Sequence, residues 1–164
     1  MYDPEVALGG HQPMYFDQMT ALYDHFTVIG AKIKITVTRA SINASDGLPV
    51  YMCLFVNDDT TVANSNITQV AEGYKTTIRM VPVATPNSYN APIVLTSKFS
   101  SRKFFGNSSL NNANIQGSAV TDPSEQAYFT LAYQHPGGGE ASWEALVEID
   151  YIAVWNELKD IASS

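Results

Sequence analysis

Between His11 and Arg39 the hydrophobic period of the chain changes midway. Phe16, Met19, Leu22 and Tyr23 recur every three or four residues, behind Pro13 and with Asp17 in the first turn, which predicts a short helix. From Ile29 onward the period is two. Ile29, Ala31, Ile33, Ile35 and Val37 face one way and Lys32, Lys34, Thr36 and Thr38 the other, as a strand buried on one face requires. A slip of one residue would bury both lysines, so the register is strongly specified.

Val50 to Val56 is apolar on both faces, which predicts a buried strand, and Asn57-Asp58-Asp59 ends it. Residues 65–73 carry Ser65 or Asn66 as an N-cap and Gly73 as a stop, a pattern that fits one or two helical turns or a loop. From Tyr74 to Val83 the alternation returns, with Tyr74, Thr76, Ile78 and Met80 opposite Lys75, Thr77, Arg79 and Val81, and it runs out around Pro82 and Pro86. A shorter strand follows at Ile93 to Ser100. Residues 101–122, rich in Asn, Ser and Gly, read as a long surface loop with one short strand near Ile115 to Thr121.

Gln126 to Gln134 is a strand with Ala127, Phe129, Leu131 and Tyr133 on one face. Beyond the turn at His135 and Gly137 to Gly139, Trp143, Ala145, Val147, Ile149, Tyr151, Ala153 and Trp155 form one apolar face of a long strand. The opposite face, Glu144, Leu146, Glu148, Asp150, Ile152 and Val154, changes from acidic to apolar partway along. Its second half should therefore be covered by another element or another subunit. About seven strands with long connections point to an all-β sandwich of Greek-key or jelly-roll type. The whole chain, 1–164, reads as one domain with an extended lead-in at 1–10.

Composition narrows the function classes. Charged residues make up 15% of the chain, below the roughly 25% usual for soluble domains, which suits surfaces that meet other protein. Sixteen acids against nine Lys and Arg give a net charge of -7, so most of the surface repels nucleic acid. The tightest basic groups are Lys32 with Lys34 and Arg102 with Lys103. Cys53 is the only cysteine and lies in an apolar run, where it packs as a small hydrophobe. The start lacks a signal-peptide pattern and no apolar run approaches the ~20 residues of a membrane helix, so the expectation is a soluble protein of a reducing compartment, with no membrane partner. On that basis the sequons at Asn43, Asn66 and Asn107 carry no weight.

Candidate chemistry is sparse. The three histidines, His11, His25 and His135, stand alone, without the close pair that a metal-dependent jelly-roll enzyme needs. No nucleophile elbow exists, and Gly137 to Gly139 lacks the Lys-Ser or Lys-Thr of a phosphate loop. Glu148 and Asp150, extended by Glu144, share a strand face as glycosidase carboxylates could. The simpler reading of that row is solvation, or pairing with lysines of a neighbouring subunit. Asn57-Asp58-Asp59 could hold calcium, but serves equally as a strand-ending turn. No enzyme and no cofactor is expected.

Four segments carry a family resemblance: GHQPMYFDQMTALYDHFTVIGAKIKITV, SSRKFFG at Ser100 to Gly106, DPSEQAYFTLAYQ, and the ending VEIDYIAVWNELKDIASS. Together they resemble the capsid proteins of circovirus-like, Rep-encoding circular single-stranded DNA viruses, from about Gly10 to the end. The resemblance implies a viral jelly roll of two packed four-stranded antiparallel sheets, with strands named B to I. It makes Phe26 to Arg39 similar to strand C, behind a short helix, with strand B absent from this chain. It further implies self-assembly into a small icosahedral shell, a T=1 particle of 60 subunits, in a virion built in the host nucleus or cytoplasm. The DNA genome would be held mainly by an N-terminal basic arm that this sequence does not show. Within the chain, Lys32, Lys34, Arg79, Lys98, Arg102 and Lys103 are the candidate phosphate contacts, and Phe104, Phe105, Ile152 and Val154 the candidate subunit contacts. The alternative is a jelly-roll carbohydrate-binding or trimeric ligand-type module, using Tyr, Trp and Asn in loops.

Overall fold

A computed structural model of the chain describes residues 12–38, 49–60, 67–72, 76–82, 91–106, 112–135 and 143–160. The sequons, the Gly137 to Gly139 turn, the cap at Ser65 or Asn66, the stop at Gly73 and the lead-in at 1–10 lie outside these residues. In chain order the described elements are α1 (Phe16–Leu22), β1 (Tyr23–Thr38), β2 (Val50–Asn57), α2 (Ile67–Ala71), β3 (Thr77–Val81), β4 (Ile93–Ser100), α3 (Ser101–Phe104), β5 (Gln116–Gly117), β6 (Tyr128–Gln134) and β7 (Glu144–Leu158). A 3-10 turn at Ala113–Ile115 precedes β5.

The protein is all-β in class. Among the described residues one sheet has four strands, in the order β4-β1-β5 with β7 also on β1, and the other three, β3-β2-β6. Thus β1 pairs with β7, the last of the described strands, and β2 pairs antiparallel with β6, the one before it. The chain forms two compact units. One consists of residues 1–31, 99–126 and 151–164, the other of 32–98 and 127–150. Each unit is built from separated segments, so no single cut in the chain divides them.

The second unit holds a two-sheet aliphatic core. Ile33, Ile35 and Val37 of β1 and Leu95 of β4 are buried with Val50, Met52 and Leu54 of β2 and Val81 of β3. Phe129, Leu131, Trp143, Ala145 and Ile149 pack against them. The expected register of β1 is observed here, with Ile33, Ile35 and Val37 buried, Lys34 and Thr36 half-buried between them, and Lys32 and Thr38 exposed on either side. On β2, Met52 and Leu54 face that core, whereas Cys53 and Phe55 face Val70 and Ile67 of α2. A strand apolar on both faces is therefore covered on both. On the long odd-numbered face of β7, Trp143, Ala145 and Ile149 pack as expected, while Val147 stays half exposed.

The first unit is aromatic. Phe16 of α1, Phe26 of β1 and Trp155 of β7 meet with ring centroids 5.4 to 5.7 Å apart, and Tyr23 lies 6.4 Å from Trp155. Gly117 of β5 pairs opposite Phe26, and a Cβ there would come within 2.7 Å of the ring. Only a glycine lets β5 approach so closely. Residues 101–122, expected as a surface loop with a short strand near Ile115 to Thr121, contain that strand as β5. Ser101 is fully buried at the start of α3, Ile115 is buried, and β5 adds a strand to the sheet. Phe99, Phe104 and Phe105 pack edge to face, with centroids 5.1 to 6.2 Å apart, and fold the segment back on itself.

Candidate interaction surfaces

The six candidate phosphate contacts fall on β1, β3, β4 and α3. In the second unit Lys32 and Lys98 are exposed on β1 and β4. Lys34 is engaged: its Nζ donates to Glu148 Oε2 of β7 at 2.6 Å. Arg79 lies on β3, in the other sheet, and donates to the Ile78 carbonyl beside it. Arg102 and Lys103 are exposed in the single turn of α3, in the first unit.

The acidic row on β7 has a partner within its own chain. Glu148 is paired with Lys34, while Glu144 and Asp150 are exposed. At Asn57 the side-chain amide donates to the Asp59 carbonyl at 3.1 Å, so this triplet forms a strand-ending turn. Among the described residues no group of three or more His, Cys, Asp or Glu side chains could hold a metal ion. Cys53 is buried and burial pushes its thiol up from the usual value, away from the reactive thiolate. Among the described residues no helix is long and apolar enough to cross a membrane.

Of the four candidate subunit contacts, Phe104 and Phe105 are half-buried against Phe99. They are partly used inside the chain. Val154 is half-buried, so the second half of that β7 face is covered there, whereas Ile152 is 63% exposed. Beneath Ile152 lies Gly30 of β1, where a Cβ would stand 3.8 Å from Ile152 Cδ1. The isoleucine thus rests over bare backbone and offers its outer surface to solvent.

Two features escaped sequence reasoning. On the outer face of the three-stranded sheet Met80, opposite Tyr51, is 51% exposed, with Ile78 exposed two residues along β3. The alternation of β3 placed Ile78 and Met80 on one face, but could not say that both side chains stay exposed beside the part that α2 covers. The other feature joins distant parts of the chain. His25 Nδ1 lies 2.9 Å from Glu157 Oε2, and Lys159 donates from its backbone to the Leu22 carbonyl and from its Nζ to the Thr20 carbonyl. No local pattern signals contacts between residues more than a hundred positions apart.

These observations define, as a class, a two-sheet antiparallel β protein whose outer strand faces carry exposed apolar side chains. No family model matches the chain, and no curated protein matches it. Among solved structures, a chain of Desmodium yellow mottle tymovirus is similar, with a TM-score of 0.43 and 19% identity, over 93% of this chain and 71% of that one.

Proposed function

We propose that the chain is a capsid subunit of a circovirus-like, Rep-encoding circular single-stranded DNA virus, and that it self-assembles into a small icosahedral shell of 60 copies. The observation that carries this reading is the exposed apolar surface of outward strand faces, represented by Ile152 on β7 and by Ile78 and Met80 on β3. Apolar side chains on the outer faces of regular strands suit burial against protein, and a closed shell supplies copies of the same chain to bury them. The resemblance supports it further, since its segments coincide with α1 and β1, with α3, with β6 and with β7. The subunit contacts are assigned to Ile152, Val154, Phe104 and Phe105, the first as the most exposed.

Purified protein is expected to form uniform closed particles by negative-stain microscopy, and Ile152→Asp to lower the assembled fraction while leaving circular dichroism unchanged. A monomer that persists across concentration and salt would overturn the reading. Single-stranded DNA is the proposed cargo, in a virion assembled inside the host cell. Lys32, Lys34, Arg79, Lys98, Arg102 and Lys103 provide only weak, sequence-independent contact. This chain by itself should bind oligonucleotides more weakly than about micromolar at physiological salt, because tighter phosphate-driven binding needs more converging cations. Fluorescence anisotropy at two salt concentrations checks this.

A further inference from the structure

On one side of the four-stranded sheet the charges sort by strand. Ile33 and Ile35 of β1 are buried in the aliphatic core, so Lys32 and Lys34 between and beside them point outward. Leu95 and Ser97 are buried on β4, which turns Lys98 outward as well. On β7, Ala145 and Ile149 pack against the same core, and Glu144, Leu146, Glu148 and Asp150 are exposed on the other side. Because β1 pairs with both β4 and β7, the lysines form one stripe and the carboxylates the stripe beside it. The two stripes touch where Lys34 Nζ meets Glu148 Oε2 at 2.6 Å. All of these residues belong to the second unit.

Three lysines stand beside three carboxylates here, a sum of zero in a chain whose net charge is -7. Two copies of an acidic chain repel each other on average, and a balanced face is where they approach at least cost. Among the described residues Lys32, Glu144 and Asp150 have no ion-pair partner. Amid the carboxylates Leu146 is 64% exposed, an apolar side chain on a regular strand that gains by burial against protein.

We propose that this face is a twofold contact between two copies of the chain, with β7 of each copy laid over β1 of the other. Such a contact rests on the reading of the chain as a self-assembling subunit, and gives that assembly an isologous interface. A twofold axis running along the strands, between β1 and β7, carries each acidic stripe onto the basic stripe of the other copy. Sheets packed face to face with their strands roughly aligned suit this arrangement. Glu144 and Asp150 of one copy then meet the lysines of the other, and Leu146 is covered. The charges select the partner and its register, while Leu146 supplies apolar burial.

Exchange of charge tests the contact. Lys32→Glu and Asp150→Lys each set like charges across the axis, and either alone should weaken association of the full chain by about tenfold or more. Sedimentation velocity over a range of concentrations reads this, with circular dichroism unchanged. Mixed in equal amounts, the two variants again set opposite charges across the axis at both ends of the contact, and association should return toward that of the parent. Leu146→Asp should also weaken association, and it stands beside Lys32→Glu as the second variant if Asp150→Lys fails to fold. Variants that associate like the parent, or that weaken association without rescue on mixing, overturn this contact and leave self-assembly standing. A parent that stays monomeric at every concentration overturns both. Loss of oligonucleotide binding in Lys32→Glu with association unchanged would assign the face to nucleic acid and likewise overturn the contact.

Discussion

The two compact units are stabilised by different chemistry. One encloses an aliphatic core between two sheets, with Met52, Leu54 and Leu95 fully buried. The other gathers a few aromatic rings about α1 and β5 and closes α1 with an ion pair and a lysine cap. Aliphatic layers are tolerant: neighbours can relax toward a missing methylene, and many residues share the load. A ring cluster around a short helix concentrates the same function in Phe16, Phe26 and Trp155. It is more easily broken at one position.

That difference can be pressed hardest in the cores. Phe26→Ala should cost about 3–5 kcal/mol and Leu54→Ala about 2–5 kcal/mol, read from urea or guanidinium midpoints. The sharper contrast is in what each variant loses. Phe26→Ala should shift Trp155 emission before global unfolding, and Leu54→Ala should move every probe together. If both variants unfold in one identical transition, the units have no separate character.

A smaller effect is expected from adding volume. Gly117→Ala places a Cβ 2.7 Å from Phe26 Cζ and 3.1 Å from Pro123 Cδ, an overpacking of the aromatic unit that should cost about 1–3 kcal/mol. Thermal unfolding followed by calorimetry checks it, and an unchanged midpoint would mean the ring shifts freely.

The smallest effect lies at alkaline pH. Burial pushes both the Cys53 thiol, in the aliphatic unit, and the Tyr151 hydroxyl, in the aromatic unit, above their usual values. A group whose pKa is raised by folding contributes stability that is fully present below its unfolded value and is lost as pH rises through the folded one. Stability should therefore decline above about pH 9 through Cys53 and above about pH 10 through Tyr151. Cys53→Ala should flatten the first decline and Tyr151→Phe the second, in denaturant midpoints measured across that range.

Much of the aliphatic unit was legible in the sequence, since alternation marks one-sided burial directly. Ile33, Ile35 and Val37 against Lys32 and Lys34, and the two-sided run of β2, needed only the pleat and the preference of charge for water. Phe129 and Leu131 followed the same rule. The aromatic unit was harder. Within residues 101–122 a short strand near Ile115 to Thr121 was expected, but not that Gly117 is what allows it, as β5, to reach Phe26. Composition marks a break in periodicity, and cannot tell an open loop from a close approach.

The candidate surfaces divide in the same way. The sequence named Ile152 and Val154 as apolar positions on a changing face, but only the packing left Ile152 out and drew Val154 half in. Likewise the acidic row of β7 was visible residue by residue, while its partner, Lys34, was known only once β1 and β7 paired. Strand existence, register and the direction of each face are local consequences of side-chain period, so one chain read in order determines them. Which residues are left bare, which charges find each other, and how Lys159 comes to cap a helix 139 positions earlier depend on pairings between distant segments. Those are decided by the free energy of the whole fold, and tertiary structure alone records them.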